Sequence, residues 1–203
     1  MKTKSITLSL LMTAALFIVN CGGQGKEHAH EEKKAGEHAS GSTASTEAAA
    51  PQYAVDVEFQ KQLASVFTAY VGMKDAFVAS DAGKVKEGSA KTLDALHKIT
   101  MQYLADAAHN DGMTYFTNIE TELGKIGATD DIEAQRQAFS AVSDNLYKAI
   151  KAFGIAGTTA YYDFCPMAFN NSGAYWLSSE EKIRNPYFGD MMLTCGSVKE
   201  MMK

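Results

Sequence analysis

The chain has 203 residues, of which 46% are hydrophobic and 21% are charged, and its formal net charge is −5. This composition is typical of a folded domain with a sizeable core. A mildly acidic chain offers no basic surface for a phosphate backbone, so we expect no nucleic-acid partner.

The first 20 residues predict an export signal. Lys2 and Lys4 precede the apolar run ITLSLLMTAALFIV, which is too short for a membrane-spanning helix of about 20 residues. The run ends in Asn20 and Cys-Gly-Gly, a pattern that resembles the lipobox of bacterial lipoproteins. We therefore expect cleavage after residue 20 and lipidation of Cys21. The lipid would anchor a periplasm-facing protein in the cell envelope, at the outer membrane.

Residues 21–52 are predicted to form a disordered tether. From Gly22 to Pro51 the chain has no aromatic and no large aliphatic side chain, so this stretch cannot bury a core. Three histidines lie there among glutamates: His28, His30 and His38. They are compatible with weak transition-metal binding and equally with a plain polar spacer.

Four stripes of apolar residues at helical spacing follow, and they predict an all-α fold in residues 53–203. The first helix begins at the N-cap candidate Asp56, and the second begins near Asp81. The sequence HNDG at residues 109–112 is predicted to separate the second helix from a shorter third one. The fourth helix begins at Asp130 and ends before Gly154. Short loops between the helices favour an up-and-down four-helix bundle.

The tail, residues 158–203, is predicted to be an irregular cap on the bundle with short extended segments. Helical periodicity stops at Gly157, the runs YYDFCPM and GAYWL favour extended structure, and Asn185, Pro186 and Gly189 indicate turns. The tail contains both cysteines that follow Cys21 in the chain.

Each tail cysteine has methionines nearby, which suggests a metal centre. Cys165 and Met167 are two residues apart, so their side chains share one face of an extended segment. Met191 and Met192 precede Cys195 by four and three residues, a spacing that puts them on its face in a helical turn. Thiolates together with thioethers suit copper(I) or silver(I), whereas zinc rarely accepts a thioether.

A disulfide between Cys165 and Cys195 is the alternative interpretation. Two cysteines in an exported protein commonly pair covalently. The methionines would then be core-filling residues. The spacing of the residues leaves both interpretations open.

Two histidine–methionine pairs could supply further ligands. His97 and Met101 lie four residues apart on the predicted second helix, and His109 and Met113 have the same spacing. A single helical histidine is more commonly a surface or hydrogen-bonded residue. The chain contains no C-x-x-C, G-x-S-x-G, H-E-x-x-H or P-loop motif, so we expect a protein that is not an enzyme.

The runs YYDFCPMA, GAYWLS and IRNPYFGDMMLTCG, preceded by DIEAQRQAFSAVSDNLYKAIKAF, resemble a bacterial domain of unknown function found in exported lipoproteins. The same domain is found appended to CusB-like adaptor proteins of copper and silver efflux pumps. The resemblance implies a membrane-anchored periplasmic protein that binds copper(I) or silver(I) and assists heavy-metal efflux or homeostasis, with an efflux adaptor or pump as partner. The alternative is a disulfide-stapled interaction domain of an envelope complex, without metal. Within DIEAQRQAF, we expect Gln135 and Arg136 to link the fourth helix to the tail.

Overall fold

The computed structural model describes residues 50–203, and the predicted signal peptide, Cys21 and nearly all of the tether lie outside this range. Four long helices make up most of it: α1 (Val57–Val78), α2 (Ala82–Leu96), α3 (Asp106–Gly127) and α4 (Ile132–Phe153). Each helix packs against the next in the chain, and α1 also contacts α4. Among the described residues, no helix combines the length and the apolar character that crossing a membrane requires.

The helix boundaries follow the capping residues. Asp56 and Asp81 cap α1 and α2 as predicted, because each side chain accepts a backbone N–H from the first turn. The cap of α4 is Asp131 and not Asp130, since the Asp131 carboxylate accepts the N–H of Glu133. The helix ends at Gly154, whose φ of 74° suits glycine, and this boundary was predicted.

The predicted break at residues 109–112 is wrong, because α3 runs straight through the HNDG sequence. The break comes earlier: α2 ends at Leu96, and a 3-10 turn (Met101–Tyr103) precedes α3. The Gln62 side chain stabilises this break, since its Oε1 accepts the N–H of Thr100 at 2.8 Å. Glycine is needed at position 112 inside α3, because a Cβ there would lie 2.7 Å from Cδ1 of Leu104. Close packing thus overrides the local turn preference of Asn-Asp-Gly.

The core continues from the helices into the tail. Large side chains from both regions are fully buried, among them Phe59, Phe77, Phe139 and Trp176. Tyr70 of α1 connects the two layers through its hydroxyl. That hydroxyl lies 2.6 Å from Oγ of Ser143 and accepts the backbone N–H of Leu177 at 3.1 Å.

The tail is more regular than the predicted irregular cap. It forms three short strands, β1 (Ala160–Cys165), β2 (Ala174–Ser178) and β3 (Ser197–Met202). They pair antiparallel in the order β2-β1-β3, so β1 is central. Extended segments laid over a helical layer must satisfy their backbone N–H and C=O groups, and strand pairing does so. The fold is therefore mostly helical with a small antiparallel sheet.

Arg136 links α4 to the tail as predicted. Its guanidinium is buried, its Nε donates to the carbonyl of Pro186 at 3.0 Å, and its Nη2 donates to Oγ of Ser80 at 2.9 Å. Glu133 completes the set as an ion-pair partner. The same expectation is wrong for Gln135, whose Nε2 donates to carbonyls of the helical layer, at Ala82, Ile126 and Thr129.

Candidate metal centre

Cys165 and Cys195 come together at one end of the sheet. Cys165 is the last residue of β1 and is buried, while Cys195 is half-buried in the loop before β3. Their Sγ atoms lie 2.8 Å apart, and both cysteines are free thiols. Two segments that are distant in sequence therefore present their thiols to each other.

The turn after Cys165 is tight and strained. Phe169, Asn170 and Asn171 all have positive φ, at 50°, 56° and 68°. Asparagine tolerates this region, but phenylalanine adopts it at a cost of about 1–3 kcal/mol. Gly173 completes the reversal at a φ of 80°, where a Cβ would meet Cζ of Phe164 at 2.5 Å. This strained turn begins four residues after Cys165.

Asn185 holds the loop that carries Cys195. It is fully buried, and its Nδ2 donates to the carbonyl of Cys195 at 2.8 Å. Its Oδ1 accepts the N–H of Tyr187, and its own N–H is donated to the carbonyl of Leu193, each at 2.8 Å. The sequence indicates only a turn at this position, because the partners of a buried amide depend on tertiary structure.

The loop also passes closely over Trp176. Gly196, next to Cys195, has a φ of 143°, and a Cβ there would lie 2.8 Å from Cη2 of Trp176. A side chain at this position would displace the loop, so glycine is needed for Cys195 to reach Cys165.

Two of the three methionines predicted as ligands in the tail share a cavity whose lining includes neither cysteine. Met167 and Met192 line an open cavity of about 400 Å³, and the backbone N–H of Met167 points to the Cys195 thiol. The predicted helical turn is shorter than expected, since a 3-10 turn (Gly189–Met192) ends before Cys195. The Met191 side chain is 79% exposed. Met167 and Met192 are therefore better placed than Met191.

The Cys195 thiol favours its protonated form in this arrangement. The hydrogen bond with Cys165, followed by burial, raises the pKa of the Cys195 thiol above its ordinary value, and the N–H of Met167 lowers it in part. A metal that binds here must displace thiol protons.

Asp163 is a buried carboxyl that the sequence reasoning missed. It lies two residues before Cys165 and faces Trp176 in the strand register. Neither of its oxygens, nor Nε1 of Trp176, has a hydrogen-bond partner among the described residues. Burial raises the pKa of the Asp163 carboxyl to about 7, and the nearby Lys74 ammonium lowers it in part.

We expect Asp163→Asn to stabilise the metal-free, reduced protein at pH 8. The folded carboxyl keeps its proton up to about pH 7, and the unfolded carboxyl releases it near about pH 4. The Asp163 carboxyl therefore lowers the wild-type free energy of unfolding as the pH rises between these values, and the amide variant lacks this contribution. The difference should grow with pH to as much as about 4 kcal/mol by pH 8 in urea unfolding, because each unit of pKa shift is worth about 1.4 kcal/mol. The control Asp130→Asn, at a mostly exposed carboxylate, should show no such growth with pH; a constant difference for Asp163→Asn would contradict the prediction.

His97 and Met101 lie far from the cysteine pair. Thr100, between them, bonds Gln62 near the start of α1, whereas the tail loop at Gly189 contacts Val78 at its end. These positions on α1 are about 24 Å apart at about 1.5 Å per residue. The two residues also do not share a helix as predicted, because His97 is the C-cap of α2. Within residues 50–203, no cluster of three or more His, Cys, Asp or Glu side chains suits a metal ion.

Residues 66–158 match a protein family described as protein of unknown function (DUF3347). The match covers most of α1 and all of α2, α3 and α4, and it ends before β1. Similarity to a family of unknown function is thus supported for the helical layer, and the matched range contains neither tail cysteine. No curated protein and no solved structure shows significant similarity to the chain.

Proposed function

We propose that this protein binds copper(I) or silver(I) through Cys165 and Cys195 as a membrane-anchored protein of the periplasm. The observation that supports the proposal is the convergence of two free thiols, 2.8 Å apart, from β1 and from the loop before β3. Both ligands are soft when deprotonated, which favours a soft monovalent ion over zinc or harder divalent ions.

The cysteine pair requires only a small adjustment to hold an ion. With metal–sulfur bonds of about 2.3 Å at a tetrahedral angle, two thiolates lie about 3.7 Å apart. The Sγ atoms must therefore separate by about 1 Å, which a side-chain rotation of the half-buried Cys195 achieves. Met167 and Met192, which line one cavity, would supply thioether sulfur to complete the shell. The backbone of Met192 lies at the site, since its carbonyl accepts the N–H of Cys195 at 3.0 Å.

The wider context of this proposal rests on the sequence patterns. The Cys-Gly-Gly motif at residue 21 supports a lipid anchor facing the periplasm at the outer membrane. The resemblance to lipoprotein domains and CusB-like adaptors supports a role in heavy-metal efflux or homeostasis, with an efflux adaptor or pump as partner. The packing of consecutive helices and the contact of α1 with α4 support an up-and-down bundle as the scaffold of the site.

A second candidate function is a disulfide-stapled interaction domain that binds no metal. The observation that favours it is the same short sulfur separation, since the thiols need to approach by less than about 1 Å to reach the covalent distance of about 2.05 Å. In this case the sheet would be a rigid surface for a partner in the cell envelope.

Silver(I) titration of the Cys21→Ser chain in its reduced and oxidised forms tests the proposal. We expect one equivalent of silver(I) to protect both remaining thiols of the reduced protein from alkylation, because the ion occupies both sulfurs. Oxidation should abolish this binding, since a disulfide provides no thiolate. Unprotected thiols in the reduced protein at one equivalent would overturn the metal proposal and leave the stapled domain.

A further inference from the structure

A small cavity at the opposite end of the helical layer collects soft donor atoms. It has a volume of about 130 Å³ and lies between the end of α2, the turn after it and α3. Its polar or sulfur-containing lining residues are His97, Met101, Met113, Thr117 and Glu120, and its apolar wall includes Leu96 and Phe116.

The two thioethers reach the cavity from different elements. Met101 is the first residue of the 3-10 turn and Met113 lies on α3, so the two methionines do not share a helix. The Met101 side chain lies close to Gly112 of α3, because a Cβ on Gly112 would lie 3.2 Å from Cε of Met101. Met113 is 47% exposed, which leaves its side chain free to move over the cavity mouth.

His97 is oriented by a carboxylate. Its Nε2 lies 3.1 Å from Oε1 of Glu120, the one hydrogen bond that the ring makes within the described residues. A histidine that binds metal through one nitrogen commonly bonds a carboxylate through the other, which fixes the ring and raises its basicity. Nδ1 of His97 is thus left as a potential metal donor, on a residue that lines the same cavity as the two methionines.

We propose that His97, Met101 and Met113 form a second site for copper(I) or silver(I), separate from the cysteine pair. A neutral imidazole and two thioethers are soft or borderline donors, a set that suits these monovalent ions and not zinc. None of the three ligands carries a negative charge, so the Glu120 carboxylate, through His97, offsets the charge of the ion.

This site does not depend on the cysteines. No ligand needs to lose a thiol proton, and oxidation of Cys165 and Cys195 leaves all three donors unchanged. The protein would then hold two monovalent ions when reduced and one when oxidised.

Silver(I) titration of the full chain with Cys21, Cys165 and Cys195 all changed to serine tests the proposal. Methyl NMR of ¹³C-labelled methionine is the readout, with resonances assigned from single Met→Leu variants. We expect the Met101 and Met113 methyl groups to shift together and to saturate at one equivalent. The Met191 methyl, on an exposed side chain at the other end of the molecule, should not shift with them.

Variants of each donor complete the test. His97→Gln, and Met101→Leu combined with Met113→Leu, should each weaken silver(I) binding by at least about tenfold. Leucine keeps the volume of methionine and removes only its sulfur, so the fold is preserved. His109→Gln is the matched histidine control, because His109 lies on α3 outside the cavity lining.

Two results would overturn the second site. One is a cysteine-free protein whose Met101 and Met113 methyl groups do not respond to silver(I). The other is binding that persists unchanged in His97→Gln, which would assign it to other residues, such as the tether histidines. Circular dichroism of each variant checks that a loss of binding is not a loss of fold.

Discussion

Replacing Cys165 or Cys195 with serine is expected to lower the silver(I) affinity of the reduced protein at the cysteine pair by at least about a hundredfold. Each substitution exchanges a soft anionic thiolate for a hydroxyl that is neutral and hard. The remaining cysteine is a single ligand, and the methionines alone provide no negative charge. Competition titration against a chromogenic silver(I) or copper(I) chelator measures the change.

The methionines provide a graded comparison. Met167→Leu and Met192→Leu, at the cavity that these two side chains line, should weaken binding by about three- to tenfold with little effect on stability. Met191→Leu is the matched control, because its side chain is 79% exposed and should not matter. Equal affinities for the wild type and both cysteine variants would refute the metal site.

The stapled-domain alternative predicts a different pattern. Either cysteine change would then lower the free energy of unfolding of the oxidised protein by about 2–5 kcal/mol. The methionine variants would change neither stability nor binding. Chemical unfolding of the oxidised variants beside the titration of the reduced ones separates the two outcomes.

Arg136→Met is expected to lower the free energy of unfolding by about 2–4 kcal/mol. The substitution keeps much of the aliphatic bulk, but it leaves the carbonyl of Pro186 without the buried N–H that it accepts at 3.0 Å. It also removes the bond to Ser80, at the end of α1. The tail loop would lose its attachment to the helical layer, so the cysteine pair should also become more accessible to alkylation. Urea unfolding and thiol-alkylation rates measure these two effects.

Arg184→Met is the matched arginine control. Arg184 is 42% exposed, and its Nη1 lies 3.7 Å from Oδ1 of Asp75, which is a surface ion pair. Such pairs contribute at most about 1 kcal/mol, so this variant should unfold nearly as the wild type does. A similar loss for both variants would show that Arg136 has no special structural role.

Helix positions could largely be predicted because their signals are local. Asp56 and Asp81 cap helices where the apolar stripes begin, and Gly154 ends α4 where a left-handed residue is required. The predicted helix break at HNDG was wrong because the contact that decides this region is not local. The local preference of HNDG for a turn is weaker than the packing of Gly112 against Leu104. This contact joins two elements and cannot be read from one segment of the sequence.

The candidate sites also divide into features that local sequence reveals and features that depend on tertiary structure. The sequence alone singled out Cys165, Cys195 and the methionines, because a cluster of cysteine and methionine can be recognised from residue type and spacing. It did not reveal Asp163 as a buried carboxyl, Asn185 as the support of Cys195, or the meeting of His97 with Met113. Each of these depends on which side chains face each other across elements.

The sequence by itself determined the mostly helical character of the chain, the start of the first two helices, and the placing of two cysteines in a segment that lacks helical periodicity. These features follow from spacing, capping and composition within a few neighbouring residues. Only the tertiary structure decided that the tail pairs into a sheet, that the thiols lie 2.8 Å apart, and that Arg136 joins the tail loop to the helices. The physical reason is that burial and backbone hydrogen bonding are satisfied between distant segments, so their energies depend on the whole fold.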